Sequence, residues 1–244
     1  MRRIGVVIVA PALLVAGLWS LLLFAPAAPA SAEASAAGRA AETAVTPQEA
    51  VARLEKTLAA LTSFQADFEQ TSYLASMARP MREKGRLSVQ KPDMMRWEYE
   101  GPEPKTYVYR QGLLLTYIPE DKQLIRQRLP EEQSGADMRG LLTGKSRLTE
   151  EFAVEDSPFP GGARGVVQIK LTPKNQEGET SYLLFEIDSK NWMIRRVIRF
   201  DWAGNKTEYA FSRFKADPKL PKDAFEIKVP ADCEIIDEPG PRKK

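Results

Sequence analysis

Residues 91–124, KPDMMRWEYEGPEPKTYVYRQGLLLTYIPEDKQL, decide the fold that we expect for this chain of 244 residues. They contain three short runs dense in aromatic and other strand-forming residues, at 93–99, 105–110 and 113–118. Gly and Pro punctuate the ends of these runs, which is typical of consecutive antiparallel strands joined by short turns. This stretch therefore predicts three neighbouring strands of one sheet.

The first of these strands presents two different faces, because successive side chains of a strand point to opposite sides. Met95, Trp97 and Tyr99 share a large, mostly apolar face, whereas the opposite face carries charge. Lys91 has the parity of the apolar face and lies at the start of the strand. Taken alone, this face suits an ordinary hydrophobic core as well as a binding surface with a basic group at its rim.

The first 32 residues have the pattern of a secretory signal peptide. Arg2 and Arg3 precede an uncharged apolar run at 4–24, and small residues before Glu33 offer a cleavage site after about Ala32. We therefore expect an exported protein whose signal peptide is removed. An uncleaved membrane anchor is the alternative, since the apolar run is long enough to cross a bilayer.

The rest of the chain is expected to form one domain at 46–237. An Ala-rich polar segment without aromatic residues, 33–45, predicts a flexible linker before it, and 238–244 predicts a disordered tail after it. Without the two arginines of the signal, 33 basic residues stand against 33 acidic ones. This neutral balance provides no basic footprint for a nucleic-acid partner.

The composition argues against most catalytic and metal-binding chemistry. The chain contains no His, which excludes imidazole-dependent triads and His-ligated metal sites. The single Cys233 has no partner for an internal disulfide, and no Gly-rich phosphate loop is present. The acidic pairs Glu131-Glu132 and Glu150-Glu151 flank turns or a short helix, where carboxylates are usually solvated. We expect neither an enzyme nor a cofactor or metal site.

A helix is predicted before the first strand. Thr46 can cap it, Pro47 suits its first position, and Glu49 completes a capping box. An apolar stripe at helical spacing then continues to about residue 62. Core packing is the default role of such a stripe.

A second, short helix is predicted in the middle of the chain, where Met138, Leu141 and Leu142 share one side and Gly144 ends the pattern. Two interpretations remain open. The helix is either a plug on the core or a mobile lid over a cavity.

The strand pattern continues on both sides of this helix and gives about eleven short antiparallel strands in total. They are predicted at 64–69, 85–89, 93–99, 105–110, 113–118, 123–129, 152–156, 166–171, 182–188, 193–201 and 206–214. A further short strand is predicted at 225–229, and Ile235-Ile236 is expected to pair at an edge. The fold class is therefore mainly β (α+β), with a single large curved sheet or barrel. Strand side chains alone do not fill such a wide interior, so helices, a ligand or both must occupy it.

Three segments together resemble the LolA family of periplasmic outer-membrane lipoprotein carriers. They are LTSFQADFEQ at 61–70 after the capped helix, GRLSVQKPDMMRWEY at 85–99, and the Tyr-x-Pro-Glu-Asp-Lys-Gln block at 117–123. The resemblance covers residue 46 to about residue 237. It implies a single half-open antiparallel β-barrel whose helices form a lid over a hydrophobic cavity.

The resemblance also implies a function. Such a protein is a periplasmic chaperone that binds the acyl chains of lipoproteins in its cavity and ferries them from the inner membrane to the outer membrane. The implied partners are acylated lipoproteins, an inner-membrane ATP-driven lipoprotein-releasing transporter and an outer-membrane acceptor, with the carrier as a monomer. The alternative is a periplasmic sensor or glycolipid-binding protein of the same fold.

Candidate site residues follow from the same resemblance. Trp97 aligns with the cavity Trp of the family, and Lys91 stands where well-known members have an Arg that holds the lid through hydrogen bonds. Lys91 is therefore the candidate lid-gating residue. Arg96 lies on the opposite face, where it is expected to pair with Glu98. The residues expected to line or cover the acyl site are Phe68, Met95, Trp97, Tyr99, Leu141 and Leu142.

Overall fold

The computed structural model of the protein describes residues 45–129, 138–145, 147–159, 164–175 and 178–238. The predicted signal peptide, the predicted linker up to residue 44 and the predicted tail beyond residue 238 lie outside the described residues. The helices are α1 (Pro47–Ala60), α2 (Met138–Thr143) and α3 (Leu148–Glu151). The strands are β1 (Ser63–Tyr73), β2 (Met81–Gln90), β3 (Met94–Glu100), β4 (Lys105–Arg110), β5 (Leu113–Ile118), β6 (Gln123–Arg128), β7 (Phe152–Asp156), β8 (Val166–Pro173), β9 (Thr180–Asp188), β10 (Ile194–Asp201), β11 (Lys206–Ala216) and β12 (Glu234–Glu238).

The twelve strands form one sheet in the order β12-β6-β5-β4-β3-β2-β1-β11-β10-β9-β8-β7. Within the described residues the two edge strands, β12 and β7, do not pair with each other, so the barrel is open. The mainly β, half-open architecture is therefore confirmed, with one strand more than the predicted eleven. The twelfth strand is the edge strand β12, which confirms the expected edge pairing of Ile235-Ile236; Ile235 lies opposite Leu124 of β6. Because β12 runs parallel to β6, the sheet is mixed and not wholly antiparallel.

The long helix α1 begins at the predicted capping box. Thr46 Oγ1 accepts a hydrogen bond from Glu49 N at 3.2 Å, and Thr46 N donates to the Glu49 carboxylate at 3.4 Å. The apolar stripe of the helix is buried in the main core together with inward side chains of the sheet. Its fully covered members are Ala50, Val51, Leu54 and Leu58. The helix therefore fills much of the concave side of the sheet, which we call the inner face.

The two short helices lie on the same side as α1. α2 ends at Gly144, as predicted, where a φ of +72° favours glycine. α3 is absent from the sequence prediction because four residues are too few to show helical periodicity. Its start is held from outside, since Leu148 N donates to the Glu55 carboxylate of α1 at 2.7 Å. In the part of the chain that is described, every helix is too short to cross a membrane.

A second, smaller hydrophobic cluster lies on the opposite side of the sheet, the outer face. Val108, Leu115 and Leu124 of β4, β5 and β6 are buried there beneath Phe225. Phe225 belongs to the connection between β11 and β12, residues 217–233, which crosses this face. The predicted strand at 225–229 is wrong, because its apolar residues pack onto the outer face without joining a ladder.

The outer face is also where Arg96 acts. Its guanidinium forms the predicted ion pair with Glu98 at 2.8 Å, which confirms that expectation. It also donates to the backbone carbonyl of Glu226 at 2.9 Å. Arg96 thus ties the crossing connection to β3, and the inner face is left to the opposite set of β3 side chains.

Candidate functional site

A cavity of about 450 Å³ lies on the inner face of the sheet, beside α2. Most of its wall comes from β3 and β4, with single side chains from neighbouring elements. The lining residues in the described part of the chain are Gln70, Glu83, Met95, Trp97, Tyr99, Lys105, Tyr107, Tyr109, Leu114, Leu129, Arg139 and Tyr209. The volume falls within the range of small-molecule sites.

The register of β3 with β4 arranges this wall into a gradient. Three residues of each strand point into the cavity, and the opposed pairs are Met95–Tyr109, Trp97–Tyr107 and Tyr99–Lys105. The first pair lies at the end that α2 covers, which we call the apolar end. The last pair lies at the opposite end, which we call the polar end. The change in chemistry along the cavity is therefore built into one strand pairing.

An aromatic cluster forms the floor between the two ends. The ring of Phe68, on β1, contacts Trp97 and Tyr99 edge-on, with centroid distances of 4.7 and 4.9 Å. Phe68 itself lies over Gly85 of β2, where an added Cβ would stand 2.9 Å from the ring and 1.8 Å from the carbonyl oxygen of Glu98. Because no side chain fits at Gly85, the Phe68 ring can pack over this position and against both cavity residues, Trp97 and Tyr99.

At the apolar end, Trp97 Nε1 donates to the sulfur of Met95 at 2.9 Å. This contact orients the indole within the cavity wall. The guanidinium of Arg139, on α2, lies 4.6 Å from the centroid of the Tyr109 ring. Such a cation–π contact joins the short helix to the cavity wall.

At the polar end, the Lys105 ammonium pairs with the Glu83 carboxylate at 2.5 Å and lies 4.8 Å from the centroid of the Tyr99 ring. The Tyr99 hydroxyl donates to the side-chain carbonyl of Gln70 at 2.6 Å. Burial raises the pKa of Tyr99 well above its ordinary value, and the neighbouring Tyr209 and Tyr107 hydroxyls and the Glu83 carboxylate add to this. Burial likewise raises the pKa of Tyr209. Both hydroxyls therefore remain neutral at physiological pH.

Lys91 lies outside this lining, at the junction of α1 and α2. Its ammonium donates to the backbone carbonyl of Leu58, in the last turn of α1. A Cβ placed on Gly144, just after α2, would stand 3.3 Å from the Lys91 nitrogen. A cation at a helix C-terminus is stabilised by the unpaired carbonyls of the last turn. Partial burial lowers the pKa of Lys91, which the carboxylate of Asp217 partly offsets.

A second lysine ties α2 to the sheet. Lys145, which follows α2, forms an ion pair with Asp93 in the turn between β2 and β3. Both lysines therefore connect the helices to the turn that carries Lys91 and leads into the cavity strand β3.

The structure brings together only part of the predicted acyl-site set. Met95, Trp97 and Tyr99 line the cavity, and Phe68 packs directly behind two of them. The predicted helix leucines are buried in the main core and do not belong to the cavity lining; they are Leu141 and Leu142. α2 instead contributes Arg139 to the cavity.

Several lining residues are missing from the sequence prediction. Tyr107, Tyr109 and Lys105 share a face by simple alternation, so the signal for them was present once β4 was placed beside β3. Glu83 and Tyr209 come from strands far away in sequence, and only the sheet order places them here. Among the described residues, no cluster of acidic or sulfur side chains has the arrangement of a metal site.

Comparison with known proteins bears on the identity of this fold. The family model for outer membrane lipoprotein carrier protein LolA matches residues 59–228. The outer-membrane lipoprotein carrier protein of Dechloromonas aromatica is 25% identical over 189 residues, which covers 78% of this chain and 88% of the relative. The corresponding protein of Methylococcus capsulatus is 28% identical over 202 residues, covering 82% and 92%.

One solved structure agrees with this chain at the level of the fold. An uncharacterized conserved protein from Thermus thermophilus superposes with a TM-score of 0.50 at 15% identity, over 78% of this chain and 98% of that one. A LolA superfamily protein from Nitrosomonas europaea gives a TM-score of 0.41 at 13% identity, over 75% and 99%. The family model spans well over half of the sequence. By that match, the chain belongs to the LolA family of outer membrane lipoprotein carrier proteins.

Proposed function

We propose that this protein is a periplasmic carrier that binds the acyl chains of lipoproteins in the inner-face cavity and moves them from the inner membrane to the outer membrane. The observation that carries the proposal is the aromatic and apolar wall of Met95, Trp97 and Tyr99 in a chain of the lipoprotein carrier family. The transfer is a binding and release process and not a catalysed reaction.

The energetics of acyl transfer favour a moderate, adaptable site. Burying each methylene group from water contributes about 0.8 kcal/mol, so several long chains would contribute tens of kcal/mol. Non-covalent affinities saturate at roughly 18 to 21 kcal/mol, so water is the wrong reference state for this exchange. The relevant exchange is from a bilayer to a protein cavity, and its net free energy is near zero. An energised donor must therefore load the carrier, and a slightly better acceptor suffices to unload it.

The implied partners then have distinct roles. An ATP-driven transporter in the inner membrane would supply the free energy of loading, and an acceptor at the outer membrane would take the cargo. Met95 suits the adaptable part of the site, because a methionine side chain repacks easily around irregular chains.

The size of the cavity adds a requirement for movement. One water-sized group occupies about 30 Å³, so 450 Å³ accommodates roughly 15 such groups, or about one long acyl chain. A lipoprotein anchor with several chains therefore needs a larger opening. We propose that α1 and α2 move away from the inner face on loading, and that the contacts of Lys91 with the end of α1 resist this movement.

The test is binding of a fluorescent acyl probe to the mature protein. Trp97→Glu places a charge in the cavity wall and should weaken binding at least about tenfold, or ~1.4 kcal/mol. Trp202→Glu is the matched control, because Trp202 is 58% exposed and lies outside the cavity lining. Circular dichroism must show that both variants remain folded. Equal probe binding by the two variants would refute the cavity assignment.

The sensor alternative is separated from the carrier by the natural ligand. Protein isolated gently from the periplasm should carry acylated lipoproteins, which mass spectrometry detects directly. Recovery of glycolipid without lipoprotein would instead support the sensor.

A further inference from the structure

The polar end of the cavity contains an ion pair whose charges cancel. Glu83 on β2 and Lys105 on β4 meet across β3 at 2.5 Å. Their side chains are only 21% and 25% exposed, so each charge depends on the other for compensation. The pair faces the same cavity as the aromatic floor. This end of the cavity is thus polar but close to electrically neutral.

Neighbouring side chains hold the pair in place. The Lys105 ammonium lies over the ring of Tyr99, and the Tyr99 hydroxyl is bonded to Gln70. The Gln70 amide donates in turn to the Ser72 hydroxyl at 3.1 Å. An approaching ligand therefore meets an ammonium that already has a carboxylate partner and a ring beneath it.

Uncharged hydrogen-bonding groups remain for a ligand at this end. Within the described part of the chain, the hydroxyls of Tyr107 and Tyr209 form no hydrogen bond, yet both residues line the cavity. A neutral tyrosine hydroxyl donates one hydrogen bond and accepts others. Ester and amide carbonyls, and free hydroxyls, are suitable partners for such groups.

A phosphate at the same place would be disfavoured. It would face the Glu83 carboxylate and would have to displace it from Lys105 to gain a cation. Arg199, a cation whose charge acts on Tyr209, has its own carboxylate neighbour, Glu179, at 3.9 Å. Arg139 lies at the apolar end, over Tyr109.

From this arrangement, and resting on the proposed function of the cavity as an acyl site, we infer that the polar end selects amphiphiles with an uncharged, carbonyl- or hydroxyl-bearing head next to the acyl chain. It rejects amphiphiles that carry a phosphate there. The Glu83–Lys105 pair sets this selectivity, because Glu83 neutralises the cation that a phosphate would otherwise use. The carrier would thereby take acylated glyceryl groups from a membrane and leave its phospholipids behind.

The test compares two ligands that differ only in the phosphate, 1-palmitoylglycerol and 1-palmitoylglycerol 3-phosphate, as competitors of the fluorescent acyl probe. The wild-type protein should bind the neutral lipid about tenfold more tightly, a difference of ~1.4 kcal/mol. Glu83→Gln leaves Lys105 available to the phosphate and should bring the affinity ratio close to one.

Two further variants make the result specific. Glu100→Gln removes the same charge from an exposed residue that lies opposite Lys84 in the pairing of β2 with β3. This variant should keep the wild-type ratio of affinities for the two lipids. Lys105→Gln removes the cation and leaves the Glu83 carboxylate unpaired, so it should increase the preference for the neutral lipid. Thermal unfolding of each variant checks that the fold is retained. If Glu83→Gln fails to fold, Lys105→Gln takes its place in the comparison with Glu100→Gln.

Three outcomes would overturn the inference. They are equal wild-type affinity for the two lipids, the same ratio in Glu83→Gln as in Glu100→Gln, and failure of both lipids to displace a bound probe. All three leave the acyl site itself intact. If the wild-type protein does not bind the acyl probe at all, the proposed function fails and the inference fails with it.

Discussion

Replacing Lys91 with methionine removes an ammonium from the junction of α1 and α2 while keeping an apolar side chain of similar length. In the structure this ammonium donates to the Leu58 carbonyl, which also accepts from Leu61 N at 3.2 Å. A hydrogen bond to a charged group contributes roughly 1.5 to 3 kcal/mol. Because Lys91 is only partly buried and burial lowers its pKa, we take the lower figure. The expected loss of about 1.5 kcal/mol corresponds to a tenfold shift of a local opening equilibrium.

The effect should be local, because Lys91 contacts the end of a helix and not the centre of the sheet. Native-state hydrogen exchange should show about tenfold faster exchange of amides in the last turn of α1. The uptake rate of the acyl probe should rise by a similar factor in a stopped-flow measurement. The midpoint of thermal unfolding should fall by no more than about 6 °C, since 1 kcal/mol shifts a domain of this size by about 2 to 4 °C.

The matched control is Lys170→Met, which removes an ammonium paired with Glu155 at 3.1 Å on the face of the sheet opposite to α1. In the Lys170→Met variant, the hydrogen-exchange rates of amides at the end of α1 and the rate of probe uptake should equal those of the wild type. A loss of protection spread evenly over α1, β1 and β11 would refute the reasoning, because it would make Lys91 an ordinary contributor to global stability. Unchanged probe uptake would refute it equally.

Two further predictions concern the support of the site. Gly85→Ala should lower the unfolding free energy by about 3 kcal/mol, because its Cβ would overlap the Glu98 carbonyl. Gly178→Ala, with open space around its Cβ, should change the unfolding free energy by less than ~0.5 kcal/mol. Urea unfolding measures both variants, and equal unfolding free energies would contradict the packing argument. The Asp217 carboxylate accepts hydrogen bonds from the Thr62 hydroxyl and nearby amides, and these bonds lower the pKa of Asp217 below 3.8. The ionised carboxylate therefore stabilises the folded state above pH 3.8, and this stabilisation is lost as the pH falls and the group is protonated. Asp217→Asn should therefore flatten the acid side of the stability profile, and an unchanged profile would show that this carboxylate is not linked to folding.

Local signals carried most of the fold prediction. The capping box at Thr46 and the Gly144 stop are determined by residues within one helical turn, and the structure confirms both. The strands of residues 91–124 were recognisable because turn residues and alternation are also local. The prediction of a single large curved sheet or barrel followed from the number of predicted strands.

The features that sequence reasoning missed depend on distant partners. The edge pairing of Ile235-Ile236 was predicted, but its partner was not, because β12 lies beside β6, more than a hundred residues earlier in the chain, and nothing near Ile235 specifies a parallel neighbour. The error at 225–229 has a similar origin. The apolar residues of this segment pack onto the outer face of β4–β6. Their alternation therefore indicated burial correctly, but the segment does not pair with a strand.

In the candidate site, too, residues placed by local alternation were predictable, whereas residues placed by distant strand pairing were not. Met95, Trp97 and Tyr99 were predictable because they alternate on one strand. The Glu83–Lys105 pair was not, because it forms across β3 and exists only when β2 and β4 have their particular registers with that strand. Charges at 83 and 105 look like ordinary strand-end residues in the sequence.

The cavity owes its amphipathic character to one register, since β3 pairs Met95 with Tyr109 at one end and Tyr99 with Lys105 at the other. A slip of β4 by two residues would keep every inward side chain inward, because the side-chain period of a strand is two. It would, however, place Lys105 beside Trp97 and separate it from Glu83, leaving an unpaired cation in the apolar part of the wall. Burial of such a charge is costly, so the ion pair also favours the native register over this slipped alternative. The same two residues that we infer to select the ligand thus help to specify the strand pairing that forms its site.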